Sequence, residues 1–142
     1  MTKFSFSRHL MIGLAMLSPF SVSAQPVESP PAAQSRTFWV NPYNDVKVEI
    51  ADCSGKLCGW VAWATPEAEQ EARDGGTPKL VGTELLQDYK PTGPNSWQGR
   101  VFVPDMGRTF YSTIALVQPD TLKISGCIMG GLICKSQVWH RA

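Results

Sequence analysis

The chain has 142 residues, with 13 Lys and Arg against 12 Asp and Glu, five tryptophans and four cysteines. That length suits one domain rather than two. The near-zero charge leaves no basic stripe to neutralise phosphates, which argues against a nucleic-acid-binding protein.

The first residues read as an address and not as part of the fold. Lys3 and Arg8 form a basic start, Leu10 to Leu17 is a short apolar run, and Ser21-Val22-Ser23-Ala24 supplies small residues at a cleavage site. This is the pattern of a secretory signal peptide over residues 1–24, cut after Ala24. The apolar run is shorter than the roughly 20 residues a membrane helix needs, and no transmembrane segment is expected after cleavage. No cysteine follows the cleavage point, so lipid modification there is not indicated. Two basic residues leave with the signal, so eleven remain against twelve acids and the net charge becomes −1. Residues 25–36 (QPVESPPAAQSR) are rich in Pro, Ala and Ser, and read as a disordered leader to a single domain over 37–142.

The domain opens with a short strand at Thr37–Val40 and a turn over residues 41–45. Val46-Lys47-Val48-Glu49-Ile50 alternates apolar and charged residues, as a half-buried strand does. Ser54-Gly55 turns the chain into Cys58–Ala64, apolar on both faces. Thr65-Pro66-Glu67 is a helix start, with a capping hydroxyl, Pro at the first helical position and acids in the first turn. Gly75-Gly76 ends that helix. Glu67, Glu69 and Glu71 read as solvated helix residues, because positions two apart do not share a face. Leu80–Leu86 is read as a strand and residues 91–95 as a loop. The hairpin Trp97–Tyr111 follows, and further strands run over Thr113–Gln118, Leu122–Cys127 and Ile133–Arg141, with turns at Pro119-Asp120 and Gly130-Gly131. Eight or nine short strands at spacings of roughly 8–14 residues predict an all-β, antiparallel up-and-down barrel of about eight strands with one short helix.

Cys53, Cys58, Cys127 and Cys134 all lie in the exported part and are expected to form two disulfides. Three pairings are open. Cys53–Cys58 and Cys127–Cys134 are preferred because each pair brackets a turn, and a bridge needs Cα atoms within about 7 Å. Chain entropy alone would favour long-range bridges, about 4.5 kcal/mol against about 2 for a short loop. A shared zinc site is disfavoured, since C-x4-C and C-x6-C are looser than the usual knuckles.

Trp97 to Tyr111 forms the central hairpin, turning around Pro104-Asp105-Met106-Gly107. A three-residue loop, Asp105-Met106-Gly107 with Gly107 left-handed, sets Phe102 opposite Phe110 and Arg100 opposite Ser112. That register places Arg100, Phe102, Phe110 and Ile114 on one inward face, as candidate ligand-lining residues. A buried guanidinium there would hold a ligand carboxylate or phosphate, or an internal acid.

Trp97-x-Gly99-x-Val101-Phe102-x-Pro104-x-x-Gly107-x-x-Phe110 resembles the core of a family of small exported bacterial proteins, catalogued as domain of unknown function 2147. Cys53 to Trp60, Leu80-Val81-Gly82 and the closing Gly126-Cys127…Cys134-Lys-Ser-Gln-Val-Trp139-His-Arg141 fit it as well. Phe102 and Phe110 stand where tyrosines are expected, and residues 67–77 lack an Asn-Pro element associated with the family. The resemblance spans residues 37–142. It implies a calycin-like barrel and a periplasmic or secreted location, and no activity. In lipocalin-like barrels a first-strand Trp packs under an Arg near the last strand, which makes Trp39 and Arg141 the candidate barrel-closing pair. The usual Gly-x-Trp is replaced here by Thr37-Phe38-Trp39.

No catalytic elbow, zinc-binding helix or phosphate loop is present in the sequence, and His140 is the one histidine after the signal. An acid pair such as Glu84 with Asp105 or Asp120 is the remaining enzymatic reading. The favoured reading is a non-catalytic envelope protein without cofactor or metal, holding a small apolar or amphipathic molecule among Trp39, Trp60, Trp63, Trp97 and Trp139. The alternative is a packed-core barrel serving as a protein–protein interaction or structural module. The sequence carries no signal for oligomeric state.

Overall fold

Period-two alternation is clear in Val46–Ile50, and turn residues bound most of the other strands. The computed structural model describes residues 36–142. The expected signal peptide (1–24) and all of the leader except Arg36 lie outside the described residues. Eight antiparallel strands follow one another around a closed barrel: β1 (Thr37–Val40), β2 (Val46–Cys53), β3 (Lys56–Ala64), β4 (Glu84–Gly93), β5 (Ser96–Val103), β6 (Arg108–Gln118), β7 (Thr121–Ile128) and β8 (Ile133–Arg141). One helix, α1 (Pro66–Asp74), lies between β3 and β4.

The waist of the barrel is solid. Val48, Val61, Leu86, Tyr89, Ser112 and Ile114 are its most deeply buried side chains. Each buried Val, Leu or Ile contributes about 1.5–3 kcal/mol relative to exposure. Trp39 and Trp139 are buried in the same core.

Helix α1 forms where its local signals say. The Thr65 hydroxyl accepts a hydrogen bond from the Ala68 N–H, Pro66 occupies the first turn, and the chain leaves through Gly75 and a left-handed Gly76. Its position is set by tertiary contacts. The Thr65 N–H donates to the Asp45 carbonyl and the Thr77 hydroxyl to the Pro104 carbonyl. A Cβ on Gly75 would overlap the Asp105 backbone, so only glycine lets the helix end meet the β5–β6 turn. Glu69 departs from the solvated role expected of it. Its carboxylate accepts from the Leu80 and Val81 N–H groups at 3.0 and 3.1 Å and lies 3.9 Å from Arg73. These two backbone bonds, more than the nearby Arg73 and Lys79, hold its pKa below the ordinary value; partial burial opposes them.

Two expected boundaries move. Residues 80–82 are a turn and not a strand, because a left-handed Gly82 reverses the chain and hydrogen-bonds through its N–H to Val61. β4 then continues through Pro91 to Gly93, past register shifts that interrupt its ladder. Such irregularities are where a strand tolerates proline.

The central hairpin has a longer turn than the sequence suggested. Val103 pairs with Arg108, which leaves four loop residues, Pro104 to Gly107, with Gly107 left-handed (φ 60°). Pro104 has no N–H for the ladder, so the turn takes it in. One extra loop residue shifts the pairing by one and reverses the inward face of β5. Val101, not Phe102, is therefore opposite Phe110, and Arg100 is opposite Tyr111. Arg100 is exposed on the outer surface, 3.2 Å from Asp88, which corrects the expected inward cation.

Candidate functional site: a cup at the mouth of the barrel

In an up-and-down barrel every second connection lies at the same end. Residues 41–45, α1 with its flanks, Pro104–Gly107 and Met129–Leu132 therefore gather at one mouth. Above the packed waist this mouth holds a cavity of about 520 Å³. Val101, Phe102, Phe110, Ile124 and Trp139 give it apolar walls, and Ala68, Ala72 and Leu85 line the side under the helix. Leu85 reaches this wall at a bulge, where β4 advances two residues, Glu84 to Leu86, against one in β3.

α1 roofs only part of the mouth. It belongs to the β3–β4 connection, diametrically opposite the β7–β8 hairpin in an eight-stranded ring. β8 meets β1 only at Val40–His140 and Trp39–Arg141. From Ile133 to Val138 it is exposed, although Ile133, Lys135 and Gln137 share the inward face with buried Trp139. The cup is thus open on the β8 side.

The polar groups of the cup are few and unevenly placed. Lys135 is its one cation, facing Gly126 across the β7–β8 ladder. Gln137 accepts a hydrogen bond from the Trp139 indole at 2.9 Å. Asp45, Glu71 and Asp105 stand around the rim. Asp45 is already engaged by the Asn41 side-chain amide at 2.6 Å, and Asn41 in turn accepts the Asp45 and Val46 N–H groups. Among the described residues, no group of three or more His, Cys, Asp or Glu comes together as a metal site.

The structure distributes the sequence candidates over four places. Phe110 faces the cup; Phe102 also borders it, although in β5 it shares the side of Arg100, and the two are not a cross-strand pair. Ile114 is buried in the waist below it, and Arg100 is outside the barrel. Trp39 and Arg141 are register partners of β1 and β8, the guanidinium carbon 5.0 Å from the Trp39 ring. They border a smaller hollow of about 270 Å³ that also includes Thr37, Trp97 and Leu122. Cys53–Cys58 and Cys127–Cys134 are disulfide-bonded, with Cα atoms 6.0 and 4.1 Å apart. Of the acids Glu84, Asp105 and Asp120, Asp120 lies in the β6–β7 turn, at the opposite end from Asp105. Sequence reasoning missed Lys135. Its spacing from Trp139 was the available signal, because residues four apart on a strand face the same way.

Comparison with known proteins agrees with this geometry. A sequence model of the family described as "Uncharacterized protein conserved in bacteria (DUF2147)" matches residues 38–141. A solved structure described as "Protein HP1028 from the human pathogen Helicobacter pylori belongs to the lipocalin family" superposes with a TM-score of 0.60 at 18% identity, covering 75% of this chain and 82% of that one. At that identity the likeness speaks for the fold alone: a lipocalin-like barrel. No curated protein matches the chain.

Proposed function

As the chain belongs to the DUF2147 family of bacterial proteins, we propose that it is an exported, non-catalytic protein that binds a small apolar or amphipathic molecule in the cup. The observation carrying this reading is the cup itself: about 520 Å³ walled by Val101, Phe102, Phe110, Ile124 and Trp139, with Lys135 at its open side. Binding pockets combine that volume with apolar walls and a few polar groups. Two disulfides and the expected signal peptide support export, since such bridges persist outside the cytoplasm. His140 is exposed on the outer face, next to inward-facing Trp139, which favours binding over acid–base chemistry.

Titration with lauric acid, laurylamine and lauryl alcohol, read by tryptophan fluorescence, tests the proposal. Trp139 is expected to give a saturable blue shift with at least one of the three. Gly126→Leu fills the cup from its wall, where a Cβ meets nothing closer than Val101 Cγ1 at 3.6 Å, and is expected to abolish that shift while the fold persists. A flat response from the unmodified protein to all three overturns the reading.

A further inference from the structure

The β7–β8 hairpin combines two features that do not coincide elsewhere in the described residues. Its tip is apolar and exposed: Ile128 (46%), Met129 (69%), Leu132 (82%) and Ile133 (53%). No charged residue occurs from Ile124 to Cys134. The stem carries Lys123, Lys135 and Arg141, and no Asp or Glu side chain occurs from Thr121 to Ala142. The opposite rim is more acidic: α1 presents Glu67, Glu71 and Asp74, with Arg73 directed to Glu69. The mouth is therefore uneven, with an uncharged apolar point backed by Lys135 on one side and an excess of carboxylates on the other.

We propose that this tip docks the protein onto an anionic lipid surface. Met129 and Leu132 enter the boundary between headgroups and acyl chains, while Lys135, two residues behind Ile133, meets lipid phosphates. The charge arrangement selects this occupant. A second copy would bring Lys135 against Lys135 across a twofold axis, whereas an anionic bilayer satisfies both the apolar tip and its cation. Each cation near such a surface adds attraction, and the buried apolar area sets the depth of seating. The acidic rim, half a turn around the barrel, tilts the molecule so that the β8 side faces the lipid. The Cys127–Cys134 bridge keeps the tip a single rigid turn, so little chain entropy is lost on insertion. The tip borders the open side of the cup, because Ile128 and Ile133 line both. The proposal stands without a cup ligand, since its readout is adsorption and not occupancy.

Co-sedimentation of the purified protein with vesicles of phosphatidylethanolamine and phosphatidylglycerol tests it. Binding is expected, weaker on pure phosphatidylcholine and weaker in high salt. The double variant M129D/L132D is expected to reduce binding by about tenfold or more, and Lys135→Ala by about fivefold. Leu132→Trp should shift its emission to the blue on anionic vesicles. Both tip residues are exposed, so near-ultraviolet circular dichroism should show the fold unchanged. Absence of binding to the anionic vesicles overturns the proposal, as does binding that M129D/L132D leaves intact. A concentration-dependent dimer that the same double variant abolishes, without vesicle binding, also overturns it and assigns the tip to a second copy.

Discussion

Gly99 lies directly against Tyr89: a Cβ on Gly99 would sit 2.7 Å from Tyr89 Cγ and 2.8 Å from Tyr89 Cα. The cause is a bulge in β4, where Asp88 is left-handed (φ 53°) and Asp88-Tyr89 together oppose Gly99. The bulge turns Tyr89 into the waist, where it is fully buried. Gly99→Ala must displace backbone, not merely a side-chain end, because the Gln87 carbonyl is also 2.7 Å away. It is expected to destabilise the barrel by about 1–3 kcal/mol, the usual range for overpacking, as a lower urea midpoint at unchanged m-value.

Tyr89→Phe should be close to neutral or slightly stabilising at pH 7. The Tyr89 and Ser112 hydroxyls are both buried, and neither has a partner in good hydrogen-bonding geometry. Removing a poorly satisfied buried hydroxyl without changing shape forfeits little. Burial raises the phenol pKa, and the Ser112 hydroxyl opposes this only in part. The folded protein keeps the phenol neutral while the unfolded chain ionises above about 10. Stability is thus complete below pH 10 and falls as pH rises beyond it. Urea melts at rising alkaline pH should show that loss reduced in Tyr89→Phe.

Glu69 titrates in the opposite sense. Backbone N–H groups of Leu80 and Val81 favour its charged form and depress its pKa below 4.5. Its contribution is therefore present above about pH 4.5 and disappears as pH falls through the lower, folded value. Glu69→Gln should lower the melting temperature at pH 7 and flatten the dependence of stability on pH in the acid range. An unchanged acid limb in thermal melts would refute the role given to Glu69 in holding α1 to the 80–81 turn.

Two arginines separate surface pairing from packing. Arg100 and Asp88 are exposed partners at 3.2 Å, and Arg100→Ala should change stability by no more than about 0.5 kcal/mol. It should also leave the fluorescence response to ligands intact. Arg141 lies over Trp39, whose indole N–H donates to the Thr37 hydroxyl at 2.8 Å. Arg141→Ala is expected to cost about 0.5–2 kcal/mol, and Trp39→Ala about 3–5 because it empties a buried site. Chemical denaturation of the three variants ranks them.

Replacing Cys127 and Cys134 together by serine opens a loop of sequence separation 7. The expected loss is about 2 kcal/mol from unfolded-state entropy. Hydrogen exchange should quicken at the β7–β8 tip before it quickens elsewhere, because that turn has no buried residue of its own.

Strand positions were legible where alternation and turn chemistry act locally. Val46 to Ile50, the Thr65 cap and the Gly130-Gly131 turn all stand where the residues indicate. The central hairpin was legible only to within one residue. Pro104 could close a strand or open a loop, and that single step decided whether Arg100 or Val101 faced inward. Glu69 was unreadable for a different reason: its partners lie 11 and 12 residues away, across the helix end and a turn.

By itself the sequence determined an antiparallel barrel with one capped helix, because period-two burial, cap residues and left-handed turn glycines act over a few positions. It also determined which cysteines bracket turns. Only the tertiary structure decided that the waist is packed while one mouth stays open. That outcome depends on Tyr89 turning in at a bulge, on α1 being anchored to Asp45, Leu80 and Pro104, and on β8 meeting β1 at two residue pairs. Each is a contact between segments distant in the chain, where shape and hydrogen-bond geometry choose among arrangements that local preference leaves equal.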